Sequence, residues 1–200
     1  MSLPMISFVK ENLKEAHAAL ENLLENEQTQ QNIVKAGQAL VDCFKNEGHV
    51  YSCGNGGSMC DAMHFAEELA GRFRLNRPAL GAVAMSDGAY MSCVANDFGY
   101  DKVFSRFVEA HGRRGDVVLG ISTSGKSENV IQALKVAKDK GVFAIALTGR
   151  PDSPVGALAD IDICTPGGRF ADRVQELHIK VIHILIELVE RGMFPETLEG

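Results

Sequence analysis

An apolar run, Val50-Tyr51-Ser52-Cys53, passes straight into Gly54-Asn55-Gly56-Gly57-Ser58, and a helical pattern follows at once. No other stretch restricts the fold as much. A strand that enters a glycine turn and leaves as a helix is the repeating unit of a parallel α/β sheet. The turn is also chemically suggestive. Glycines let main chain approach a ligand closely, and the N–H groups of the turn and of the helix start form a nest that suits a phosphate. The turn has neither the G-x-G-x-x-G nor the Gly-Lys-Ser/Thr pattern, which argues against a dinucleotide or a nucleoside triphosphate. Read alone, it serves equally well as a tight strand-to-helix connection.

Downstream of Gly48 short β-rich runs alternate with helical patterns. Strands are predicted at 49–53, 81–84, 116–121, 143–148 and 161–165, and helices at about 58–73, 86–95, 101–110, 128–140 and 171–191. This predicts a five-stranded, mainly parallel sheet flanked by helices in a flavodoxin-like three-layer α/β fold. The 200 residues form one domain, with a helical pair at about 4–46 and an α/β core at 48–192. In the first helix Ile6, Val9, Leu13, Ala16, Leu20 and Leu23 recur at spacings of three and four, as in a coiled-coil seam; Ile33, Ala36, Leu40 and Phe44 mark the second. Such helices pair either with each other or with a second subunit, and the seam favours a subunit. The first five residues and the last two carry no pattern and are set apart.

The bulk properties exclude several classes. A formal net charge of −6 disfavours a general nucleic-acid binder. There is no apolar run of the ~18 residues that a membrane span requires, and the N-terminus lacks a signal-peptide pattern. Cys43, Cys53, Cys60, Cys93 and Cys164 are odd in number, scattered, and form no C-x-x-C. Reduced thiols in a cytoplasmic protein are the expectation.

Four further segments offer chemistry. Ser122-Thr123-Ser124-Gly125-Lys126-Ser127 follows a predicted strand and opens a helix. Its four hydroxyls exceed what one N-cap needs, and with the helix dipole they suit a phosphate monoester. His64 and Glu68 stand four apart on one helix face, able to share a metal or a proton, whereas Glu67 falls off that face. The last helix carries Gln175, His178 and His183 amid apolar residues, and His183 is either a functional group or a hydrogen-bonded core histidine. Asn96-Asp97 reads as a polar turn that binds sugar hydroxyls or caps the helix near Asp101.

Together these residues resemble the sugar isomerase (SIS) domain family, whose hallmarks are an Asn-Gly-Gly-Ser loop after the first strand and a Ser-x-Ser-Gly loop after a later one. Residues 52–58, 60–69, 120–125 and 172–183 carry the resemblance, which extends over nearly the whole chain and is strongest to the sedoheptulose-7-phosphate isomerase branch. Met59 stands where that branch can carry histidine. The resemblance implies a homotetramer with interfacial sites and one Zn2+ per subunit. It assigns His64, Glu68, Gln175 and His183 to the metal, and Glu68 and His183 to acid–base catalysis. Substrate contact falls to Asn55, Gly56, Gly57, Ser58, Glu68, Asn96, Asp97, Ser122, Thr123, Ser124, Ser127 and Gln175. The implied reaction converts D-sedoheptulose 7-phosphate to D-glycero-D-manno-heptose 7-phosphate through an enediol, on the route to ADP-heptose of lipopolysaccharide.

One tension stands within that assignment. Gln175 and His183 are separated by about 12 Å along a straight helix. Both reach one ion only if their side chains lean together; otherwise one meets substrate, or they serve different sites. Two other readings compete with the leading one: an isomerase of another sugar phosphate, and a non-catalytic SIS adaptor for the replication initiator protein. The adaptor lacks the carboxylate and the imidazole that Glu68 and His183 supply here.

Overall fold

The computed structural model describes residues 5–198; the expected start of the helical pair at residue 4 and the two terminal residues set apart at the C-terminus lie outside them. Five strands form one sheet: β1 (Val50–Gly54), β2 (Ala82–Ala84), β3 (Val117–Ser122), β4 (Phe143–Thr148) and β5 (Ile161–Cys164). Their order is β2-β1-β3-β4-β5, and every pairing is parallel. The chain leaves β1 toward β2 on one side and returns to β3 on the other. The carboxyl ends of β1 and β3 therefore flank the switch point where open α/β sheets bind ligands.

Strand alternation builds two cores. Val50, Val117, Leu119, Ile121, Ile145, Leu147 and Ile163 pack beneath α2 (Glu27–Lys45), α3 (Gly57–Ala70) and α7 (Ala171–Met193). Tyr51, Cys53, Val118, Ala144 and Ala146 face the opposite layer, formed by α4 (Gly88–Phe98), α5 (Val103–His111) and α6 (Glu128–Lys140). The three-layer architecture is the expected one. On α7 the buried positions 174, 177, 178, 181, 182, 185, 186 and 189 follow helical spacing. That stripe turns His183 and Gln175 to its half-buried edge.

Element bounds follow local chemistry. Strand β4 and helix α6 match the predicted limits; α6 ends on Gly141 in the left-handed region, with Lys138 and Lys140 in its last turn. Helix α3 stops at Gly71, short of the expected residue 73. Helix α4 overruns its predicted end and takes in Asn96 and Asp97, which correct from a polar turn to exposed positions in its last turn. Nothing in that stretch breaks a helix before Gly99.

Helix α1 (Met5–Glu25) is separated from α2 by Asn26, whose side chain accepts from Thr29 N–H at 2.9 Å. Of the proposed seam, Ile6, Val9, Leu13 and Leu20 remain exposed within the protomer, and Met5, Phe8 and Leu24 are exposed beside them. Buried Arg173 on α7 ties down the middle of α1 through Asn12 Oδ1 (2.7 Å) and Glu15 Oε2 (3.3 Å). No helix among the described residues is long and apolar enough to cross a membrane.

Candidate functional site

The glycine turn leaves β1 at the switch point. Gly56 adopts φ +56°, a conformation that side chains disfavour, and nothing lies within 4 Å of where its Cβ would be. The backbone there is open to an incoming group. At Gly57 the constraint is contact, since a Cβ would sit 2.4 Å from Gln175 Nε2. Ser58 turns inward and is buried.

The hydroxyl loop leaves β3 alongside. Ser127 occupies the N-cap position of α6 but makes no capping hydrogen bond. Its Oγ meets Ser122 Oγ at 2.9 Å, and Ser124 Oγ accepts from Lys126 N–H at 3.2 Å. The hydroxyls are thus not consumed by capping, which was the competing reading of this loop. Thr123 is half-buried and Ser124 exposed.

A reciprocal amide pair ties the two loops together. Asn55 donates to Asn129 Oδ1 at 2.9 Å and accepts from Asn129 Nδ2 at 2.8 Å. Tyr100 O–H donates to Asn55 Oδ1 at 3.2 Å. Asn96 and Asp97 lie just before that tyrosine, joined by an Nδ2-to-Oδ1 bond of 2.8 Å. Asn129 and Tyr100 were not singled out from the sequence, because their partner lies far away along the chain and they belong to no motif.

The reactive cluster forms where α3 crosses α7. His64 Nε2 lies 3.4 Å from Glu68 Oε1 and 3.3 Å from His183 Nε2, the last contact joining positions 119 apart. The two imidazoles meet edge to face, and Phe73 stacks on His183 at 5.7 Å. Burial lowers the pKa of His183, and the charges of His64, Lys180 and Arg74 add to the effect while Glu68 opposes it. Its imidazole therefore stays neutral into more acidic solution than a free histidine would.

A cavity of about 420 Å3 opens beside His64, lined by Cys60, Asp61, Asp172, Gln175, Glu176 and Ile179. Asp61 was not picked out from the sequence. Burial raises its carboxyl to about 6 against the pull of His64, and its Oδ2 has no hydrogen-bond partner among the described residues. Gln175 stands between the glycine turn and His64 in this wall, so the two expected halves of the site are continuous. No contact in the structure brings its amide to His183, and the sequence tension about its role as a metal ligand persists. His178 is buried in the core, which lowers its pKa to about 4.

The donor set fits a metal ion. Among the described residues the clustered donors are His64, Glu67 and Glu68, each offering an atom within 4.8 Å of the others; Glu67, expected off the His64 face, shares it from three residues away, and His183 lies outside this group. Tetrahedral zinc with bonds of about 2.0–2.1 Å sets neighbouring donors ~3.3 Å apart. The spacings from His64 to Glu68 and to His183 are 3.4 and 3.3 Å.

Comparison with known proteins identifies the family. A family model described as "SIS domain" matches residues 12–149, a span that contains the glycine turn, the hydroxyl loop and α3. The phosphoheptose isomerase of Aeromonas salmonicida is 57% identical over 185 residues, 92% of this chain and 96% of the relative. An alignment of that length in a 200-residue chain necessarily includes Gln175 and His183. The chain belongs to the phosphoheptose isomerase family. The Histophilus somni phosphoheptose isomerase is 58% identical over 185 residues, 92% of this chain and 95% of the relative. Among solved structures, phosphoheptose isomerase GmhA from Neisseria gonorrhoeae is 37% identical with a TM-score of 0.86, covering 93% of this chain and 98% of that one. A phosphoheptose isomerase from Francisella tularensis is 30% identical with a TM-score of 0.89, covering 94% and 100%. Family membership makes the chain an isomerase with the SIS fold.

Proposed function

We infer that this protein interconverts sedoheptulose 7-phosphate and D-glycero-D-manno-heptose 7-phosphate by moving a proton between C1 and C2 through an enediol. The observation that carries the reading is the approach of both Glu68 and His183 to His64 Nε2, from helices remote in sequence. The alternative of a non-catalytic adaptor has no use for a carboxylate and a neutral imidazole that both approach His64.

The substrate's phosphate sits at the β1–β3 switch point. Ser122, Thr123, Ser124 and Ser127 supply hydroxyls, and the amides opening α3 and α6 supply N–H groups and favourable dipoles. Asn55, Gly56, Gly57 and Ser58 form the opposing turn, while Asn96, Asp97 and Gln175 serve the sugar hydroxyls. The carbon chain then runs past Gln175 toward His64, which places C1 and C2 at Glu68 and His183. Glu68 accepts the carbon-bound proton and returns it to the neighbouring carbon. His183, held neutral, shuttles the proton between the two oxygens. His64, Glu68 and His183 are the residues we assign to a divalent ion, with Gln175 as a fourth candidate. Zinc, when bound, polarises the carbonyl as a Lewis acid. One ion per subunit and a homotetramer, with cytoplasmic residence, complete the proposal.

Incubation with sedoheptulose 7-phosphate in deuterated water tests the reaction. The expected result is aldose product carrying deuterium at C2, with shorter ketose phosphates in a parallel panel turned over more slowly. Preference for a shorter sugar would reassign the substrate, and inertness toward the whole panel would remove the isomerase reading.

A further inference from the structure

The segment that follows α3 lies along α7 in a register of its own. Phe73 stacks on His183, Arg74 pairs with Glu187 at 2.9 Å, and Arg77 pairs with Glu190 at 3.1 Å. Positions 183, 187 and 190 are spaced by four and three, so they share one face of α7. The pair at the far end is sealed: the Arg77 side chain is 0% exposed and that of Glu190 2%. Removing both charges from water is unfavourable unless the geometry and further hydrogen bonds compensate, so such a pair is weak evidence for stability.

The remaining bonds of Arg77 show what it holds. Its Nη2 donates to the main-chain oxygen of Glu68 at 2.5 Å. Its Nη1 donates to the oxygens of Leu69 (2.6 Å), Gly71 (3.2 Å) and Pro78 (3.2 Å). The last carbonyls of a helix have no partner within it. Here one guanidinium takes two of those carbonyls in α3, those of Glu68 and Leu69, and, through Nε, grips α7 two turns beyond His183. The residue whose carboxylate faces His64 is therefore fixed by its own main chain to the helix that carries His183.

We propose that Arg77 and Glu190 are positioning residues that set the spacing between Glu68 and His183, with Phe73 and Arg74 extending the same strap over the reactive end. This rests on the assignment of Glu68 and His183 to the isomerase site. Neither Arg77 nor Glu190 touches that site; their effect passes through the α3 main chain and the α7 axis.

The test compares Arg77→Met/Glu190→Met, which leaves no lone buried charge, with Arg77→Lys, which keeps the charge and loses the planar fork. Each is measured for kcat, KM, thermal midpoint and Zn2+ affinity by calorimetric titration of the metal-stripped protein. Outer supports of a site typically contribute about 10–100-fold to activity or metal affinity. The double variant should therefore lose at least about tenfold in kcat and in Zn2+ affinity, with KM within about twofold and a folded, cooperative melt. Arg77→Lys should show the same losses in smaller measure, and it decides the matter if the double variant does not fold. Folded variants with unaltered kcat and unaltered Zn2+ affinity would overturn the proposal. If the unsubstituted chain turns over no sugar phosphate, the isomerase reading fails, while the Zn2+ titrations still judge the strap.

Discussion

In the mechanism we propose, Glu68 and His183 are the smallest unit on which the chemistry depends, and changing either has the same expected consequence. Glu68→Gln keeps size and removes basicity, so turnover should fall by at least about 100-fold. Binding of the phosphate end and the assembled mass should persist. His183→Gln should behave alike, and steady-state assays with light scattering on both variants would expose any full activity, which would strip that residue of its role. Thorough chelation should slow the unsubstituted protein, and added Zn2+ should restore it; rates indifferent to chelation would remove the Lewis acid. His178 governs stability instead. Its folded pKa of about 4 lies below the ordinary 6.5, so the unfolded chain takes up a proton across that window that the folded chain refuses. Stability conferred by keeping this ring neutral is complete above about pH 6.5 and drains away as pH falls toward 4. Asp61, raised to about 6, pulls the other way in acid. Urea denaturation at pH 7 and pH 5 should show His178→Leu losing less stability than the parent, and equal losses would clear His178 of the effect. At this scale the i, i+4 pair of His64 and Glu68 could be read from spacing. The arrival of His183 beside them could not, because spacing says nothing about how α3 crosses α7; only the family resemblance pointed to it. Arg77 and Asn129 stayed invisible for the same reason, as single polar residues whose partners are set by tertiary packing.

The elements show where local signals suffice. Helix α6 carries an acidic residue in its first turn, lysines in its last and a glycine cap, and its bounds came straight from those features. Helix α4 has no comparable stop before Gly99, and the polar dipeptide in its last turn was mistaken for one. The hydroxyl loop before α6 reads from sequence as either cap or ligand site; in the structure Ser127 bonds Ser122 and makes no capping bond, which leaves the loop open to the phosphate we propose. Substituting Ser122→Ala together with Ser127→Ala should therefore raise KM for the sugar phosphate. Loss of hydrogen bonds to a charged group, at about 1.5–3 kcal/mol each, corresponds to tenfold or more. Steady-state kinetics should find kcat little altered, with weaker competition by inorganic phosphate. An unchanged KM would return the loop to a purely structural role.

At the scale of the whole molecule, the alternation of strands and helices was enough to specify a parallel sheet with flanking helices, but not what α1 does. Its apolar positions recur as a seam, yet the protomer leaves Ile6, Val9, Leu13 and Leu20 in solvent. We propose a second copy of the chain as the cover for that face; Val9→Glu with Leu13→Glu should then lower the sedimenting mass while the far-ultraviolet dichroism stays helical. A mass that does not change would place the subunit contact elsewhere. Within each copy, the halves of the sheet meet at a joint of another kind. Asn55 and Asn129 exchange two bonds between uncharged amides, so nothing in that latch ionises or is screened. If the two loops grip the phosphate as we propose, the gap between them should accordingly keep its width from mild acid to mild alkali and from dilute buffer to brine.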